Sequence, residues 1–195
     1  MLIGYEANNA LRNSTPMGDF CRDLIEKMAN RYIRDGYRAL LFTKGIKKDY
    51  RGYFSGNSNV SSYLPVGMSK LMPELWMRYR LNAWLKEEKV KLLHGLNEEL
   101  PYNIGREVKT VVTCYGIGEH HRASLMDSIM WKGRLRYAFT AADAVVAVSE
   151  DVKRQLLEHN VSESKIVVIG VPGRPYEASD EVVEQYYSLY RHLLS

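Results

Sequence analysis

Apolar positions along this chain change their period several times. LIGYEA (Leu2–Ala7), YRALLFT (Tyr37–Thr43), KLLHGLN (Lys91–Asn97), KTVVTCYG (Lys109–Gly116), AVVAVS (Ala144–Ser149) and KIVVIG (Lys165–Gly170) are short apolar runs. Their length and makeup predict six strands. Between them the spacing lengthens to that of a helix. Thr15-Pro16 reads as an N-cap followed by Pro at the first helical position. Phe20, Leu24, Ile25, Met28, Tyr32 and Ile33 then share one helical face, and Gly36 ends the helix. Helices are also predicted from Pro73, from about Ser124 to Ala142, over 149–160 and over 179–195. In the last of these, Val182, Val183, Tyr186, Leu189, Tyr190, Leu193 and Leu194 form the stripe, with Ser179 or Asp180 as cap. Lys47–Tyr63 has no period and is rich in Gly, Ser, Asn and Tyr, so it reads as a mobile surface loop. Strands alternating with helices imply parallel βαβ units. Near-continuous apolar strands such as Ala144–Val148 fit a sheet covered on both faces. The fold class is therefore α/β, a Rossmann-like doubly wound parallel sheet in three α/β/α layers.

Composition narrows this only slightly. The 195 residues suit one domain with at most an appendage, and a hydrophobic share of 46% is ordinary for a globular chain. No apolar run is long enough for a spanning helix. The opening MLIGYEANNALRN lacks a basic n-region and a long apolar stretch, so it reads as a first strand rather than a signal peptide. The net charge of +4 is mild, and no zinc-finger spacing, RNP pattern or basic tail argues for nucleic acid. Cys21 and Cys114 sit in apolar settings, as reduced buried thiols of a cytoplasmic protein would.

Ligands of open parallel sheets bind at the carboxyl ends of the strands. That rule selects the loops Asn8–Gly18, His94–Glu99, Tyr115–His121 and Ser149–Glu150, where the polar residues concentrate. Gly116-Ile117-Gly118 does not complete a dinucleotide fingerprint, because His121 stands where the third glycine belongs. Glu119, His120 and His121 lack metal-ligand spacing, so no metal is expected. Ser149 reads as a helix N-cap, and the N–H groups behind it could also take an anion. Residues 73–91 mix Trp76, Tyr79 and Trp84 with Arg78, Arg80, Lys86 and Lys89. That mixture suits a membrane interface, but Glu74, Glu87 and Glu88 dilute the charge and favour a helix packed on the domain. Any membrane contact is thus expected to be peripheral.

Several stretches in chain order resemble one family. They are TPMGDFCRDLIEKMA (Thr15–Ala29), LLHGLNEELP (Leu92–Pro101), KTVVT (Lys109–Thr113) and RYAFTAADAVVAVSEDVKRQLLEHNVSESKIVVIG (Arg136–Gly170). Together they resemble family-4 glycosyltransferases, and more narrowly the bacterial enzymes that build surface polysaccharides. The resemblance implies one half of a GT-B fold, with a Rossmann-like acceptor domain over residues 1–171. It implies a metal-independent transfer from a nucleotide sugar, with no other cofactor. DEVVEQYYSLYRHLL is similar to the family's final helix, which returns to the first domain. Residues 172–178 then stand as a short linker where the donor domain is missing, and 179–195 as the returning helix. Two departures touch the cleft. A family turn of the type TGIGRY is here Thr15-Pro16-Met17-Gly18-Asp19-Phe20, keeping only Gly18, and Pro16 removes a backbone N–H. The His-Asp pair expected after KTVVT is replaced through Cys114-Tyr115-Gly116.

The resemblance places Asn8, Asn9, Thr15 and Gly18 at the first turn and His94, Asn97, Glu98 and Glu99 on the acceptor side. It places Tyr115 and Gly116 at the lost pair, and Ser149, Glu150 and Lys153 at the last cleft-facing helix start. Tyr115, Glu98, Glu99 and Glu150 are the weak candidates for catalysis. The implied partner is a sugar acceptor, with a lipid-linked form allowed. A donor-domain chain or a second copy could complete the cleft. Three roles stay open: an acceptor-binding half inert alone, a half-enzyme that assembles, and a non-catalytic binding module. The implied location is the cytoplasm, with contact at the inner membrane face left open.

Overall fold

A computed structural model describes residues 1–117, 125–170 and 177–195, the side chains of 125–128 excepted. Glu119, His120, His121, the helix start at Ser124 and all but the end of the 172–178 linker fall outside the described residues. Seven parallel strands make one sheet: β1 (Leu2–Glu6), β2 (Arg38–Phe42), β3 (Val60–Tyr63), β4 (Leu92–Gly95), β5 (Lys109–Cys114), β6 (Ala144–Ala147) and β7 (Ile166–Val168). Their order is β3-β2-β1-β4-β5-β6-β7. The chain builds outward from β1 on one side, then returns to lay β4 on the other. The switch point of this doubly wound sheet therefore lies between β1 and β4, where Glu6 is level with Gly95.

The β-branched and leucine-rich strands bury both faces. On one, Ile3, Tyr5, Leu92, Val111 and Val146 pack under α1 (Asn8–Arg12), α2 (Pro16–Arg31) and α7 (Asp180–Leu194). On the other, Phe42, Leu93, Val112 and Val145 pack under α4 (Leu81–Glu87), α5 (Leu125–Ala141) and α6 (Glu150–Glu158). Helix α2 starts as its sequence dictates, with Thr15 Oγ1 accepting from Gly18 N at 3.2 Å and Pro16 at the first position. Ser179 caps α7 by accepting from Val182 N at 3.2 Å.

Four details differ from the periodicity. The 47–63 segment is not one mobile loop: it holds a 3₁₀ turn at Lys48–Tyr50 and ends in β3. That strand is short, on the sheet edge and half polar, the usual disguise of an edge strand. Ile33 leaves the apolar stripe of α2 for a 3₁₀ turn that Gly36 closes at φ 68°, and it is 51% exposed. The first half of the Asn8–Gly18 loop is the short helix α1. The helix from Pro73 is broken into α3 (Pro73–Leu75), a π turn (Trp76–Arg80) and α4. No helix among the described residues is long and apolar enough to cross a membrane.

Candidate functional site

Polar groups gather where β1, β2, β4 and β5 end. Glu6, the last residue of β1, is only 2% exposed. Its Oε1 accepts from the backbone N–H and the side-chain amide of Asn8, while Oε2 has no partner among the described residues. Burial pushes the Glu6 carboxyl up to about 8, and the nearby Glu99 charge adds to this; Lys44 and Asn8 oppose it. At neutral pH Glu6 is therefore a protonated acid, able to donate a hydrogen bond but not to act as a base. Asn8 Oδ1 accepts from Thr43 Oγ1 at 3.1 Å and Lys44 N at 3.0 Å, which ties the end of β1 to the end of β2. Lys44 pairs with Glu74 at 2.7 Å.

The loop after β4 folds back over its own strand. A side chain on Gly95 would clash with Glu99 O, so only glycine fits. Within the loop Asn97 Oδ1 accepts from Glu99 N at 3.2 Å. Glu98 Oε1 accepts from Tyr115 N at 2.9 Å, which joins it to the end of β5. Tyr115 lays its hydroxyl 3.5 Å from the Cys21 sulfur, and burial holds its phenol well above the usual range. It stays protonated and is no base. Gly116 has φ 142°, and Gln155 Oε1 accepts from Ile117 N at 2.7 Å, fastening this loop to α6.

Other expected residues take structural places. His94 is not on a ligand-facing surface. It is fully buried under α7, with Nδ1 2.6 Å from Tyr190 Oη and Nε2 2.8 Å from Thr113 Oγ1. Burial lowers its pKa to about 3. Asn9 Oδ1 accepts from Asn13 Nδ2 at 2.7 Å, which steadies α1. Gly18 is the contact point of α1 and α2, where an added Cβ would clash with Asn13 O and lie 2.7 Å from Asn9 O. Ser149 caps α6. Glu150 and Asp151 already answer the positive end of that helix, so it is poorly suited to a phosphate. Lys153 pairs with Glu163 at 2.9 Å. Among the described residues no three His, Cys, Asp or Glu side chains gather around a metal-sized space.

Glu6 was missed in the sequence although its signal is visible: an acid closing an otherwise apolar strand, LIGYE, next to the switch point.

A seven-stranded parallel sheet with a polar carboxyl edge is the Rossmann-like domain from which GT-B glycosyltransferases are built. The family model for Glycosyltransferase Family 4 matches residues 24–171, well over half of the chain. The chain belongs to that family. Among solved structures, a glycosyltransferase from Rickettsia africae ESF-5 is similar at 20% identity and TM-score 0.52, over 97% of this chain and 49% of that one. Anabaena Alr3699/HepE, in complex with UDP-glucose, is similar at 12% identity and TM-score 0.54, again over 97% and 49%. Sucrose-phosphate synthase (tll1590)_27_220_406_426 from Thermosynechococcus elongatus is similar at 15% identity and TM-score 0.51, over 100% of this chain and 99% of that one. The chain thus spans about half the length of the first two. Among curated proteins no sequence matches significantly.

Proposed function

We propose that this chain is the acceptor-binding half of a family-4 glycosyltransferase of the surface-polysaccharide type, and that it transfers no sugar alone. The observation that carries this reading is the join before α7. One strand beyond β6, at Val168, the sheet ends, and α7 then packs against α2 and fills the face over Tyr5, His94 and Thr113. A second Rossmann-like unit would have to lie between 171 and 178, and so few residues cannot build one. The acceptor would meet the edge formed by Asn97, Glu98, Glu99 and Tyr115, with the buried Glu6 carboxyl beneath it. The transferred sugar and its nucleotide would be bound elsewhere.

The test is calorimetric titration with UDP, GDP and UDP-glucose beside an assay of donor hydrolysis and transfer. No turnover and no nucleotide affinity are expected. Turnover would overturn the reading. Nucleotide affinity without turnover would favour a half-enzyme that needs a partner domain or a second copy.

A further inference from the structure

Residues 66–80 present an apolar surface that the fold does not use. Val66 is 60% exposed, Met68 84%, Leu71 80%, Met72 56%, Leu75 47% and Tyr79 56%. These are more than half of the large apolar side chains that stand exposed in the described residues. They are not the leftover of a loosely packed helix. The inward side of the same stretch is filled, with Trp76, Met77, Leu81 and Leu85 buried against the β4 side of the sheet. The π turn at Trp76–Arg80 makes this division: it turns Trp76 and Met77 inward while Tyr79 stays out. Tyr102 N donates to Arg78 O at 2.8 Å and pins that turn.

The charged residues of the patch are mostly cationic. Lys70 and Arg80 are exposed, and Arg78 is half-buried. Glu74 is the one acid in residues 66–80, and Lys44 pairs with it. Burial alone would raise the Glu74 carboxyl, but Lys44, with Arg78 and Arg12 nearby, holds it below the usual range. The stretch is thus Met, Leu, Val and Tyr rimmed by cations, with its acid neutralised. Exposed apolar patches of this kind mark interaction sites. Methionine, leucine and tyrosine suit the headgroup boundary of a bilayer, and lysine and arginine suit anionic lipid.

We propose that the Val66–Arg80 surface docks the protein on an anionic bilayer, with Met68 and Leu71 entering the headgroup region and Lys70, Arg78 and Arg80 meeting lipid phosphates. The membrane face is the 3₁₀ segment Gly67–Leu71 with α3, not the α4 helix, whose apolar side is already spent on the core. The inference does not depend on the acceptor role proposed above.

Flotation of the full chain with vesicles tests it. Vesicles of phosphatidylcholine with phosphatidylglycerol should carry the protein, vesicles of phosphatidylcholine alone should not, and high salt should release it. The double variant Met68→Ser/Leu71→Ser should lose binding by about tenfold or more, because the two side chains are the most exposed of the patch. It should keep the wild-type melting temperature, since neither side chain is packed. Ile129→Ser, an exposed apolar change on α5, should bind like wild type. The proposal is overturned by failure of the wild type to float, by equal binding to both vesicle types, or by an equal loss in Ile129→Ser. Self-association of the wild type that the double variant abolishes, without flotation, would assign the patch to a second copy instead.

Discussion

Glu6→Gln removes a carboxyl that the fold keeps protonated, and its effect on stability has a definite pH signature. The folded carboxyl titrates at about 8 against an ordinary 4.5, because burial and the Glu99 charge disfavour its ionised form. Between those values the unfolded chain has released a proton that the folded chain still holds. Stability from this group is therefore fully present below pH 4.5, falls as pH rises, and is lost above about pH 8. At about 1.4 kcal/mol per pKa unit, the loss at pH 7 is on the order of 3 kcal/mol. His94 acts with the opposite sign. Its pKa is lowered from 6.5 to about 3 by burial, so its contribution is present above pH 6.5 and lost as pH falls towards 3. In the wild type the two slopes oppose each other between pH 4.5 and 6.5, and only the Glu6 descent remains between 6.5 and 8. The Glu6→Gln side chain keeps the carbonyl that accepts from Asn8 and carries no titration. Urea unfolding at a series of pH values should then show a flat wild-type curve that drops above pH 6.5. The variant should rise to pH 6.5 and stay level. Between pH 4.5 and pH 7 the difference should shift by about 3 kcal/mol in favour of the variant. Equal slopes in the two proteins above pH 6.5 would refute the protonated-Glu6 reading.

Three further outcomes are expected. Tyr190→Phe leaves His94 Nδ1 without its 2.6 Å partner in a fully buried site, and should lower the unfolding free energy by about 1–3 kcal/mol in urea titrations. Gly18→Ala forces a methyl onto Asn13 O and Asn9 O, and should cost about 1–3 kcal/mol by the same assay. Deleting residues 179–195 uncovers Tyr5, Tyr37 and His94. It should give a dye-binding, aggregating chain by light scattering, whereas a monomer of unchanged stability would remove the packing role of α7.

The periodicity of apolar residues was enough for the central strands and the long helices, because those elements bury continuous faces. It failed where burial is partial or the period is interrupted. β3 carries Ser61 and Ser62 between Val60 and Tyr63, so its pattern resembles a loop until β2 is placed beside it. The segment after Pro73 has helical composition throughout, yet Trp76 and Met77 both turn to the core, which a regular α-helix does less readily than a π turn. Ile33 matches the stripe of α2 in spacing but lies beyond the last α-helical turn. For β3 and the segment after Pro73 a tertiary neighbour decides the geometry, whereas for Ile33 the local 3₁₀ turn closed by Gly36 does.

The polar edge was legible as a set of loops but not as a division of labour. Rules of strand order point to the carboxyl ends, and most candidate residues do lie there. Position along the chain says nothing of depth, however. His94 and Glu6 lie at or beside the ends of adjacent strands, one residue apart in register, since Glu6 is level with Gly95. One points under α7 and is locked by Tyr190 and Thr113; the other has an unpartnered oxygen at the switch point. Alternation along a strand makes that difference unavoidable, because neighbouring residues face opposite ways. The histidine thus holds the terminal helix on the sheet, and the carboxyl at the next level, pushed up to about 8, is the altered group that lies at the switch point.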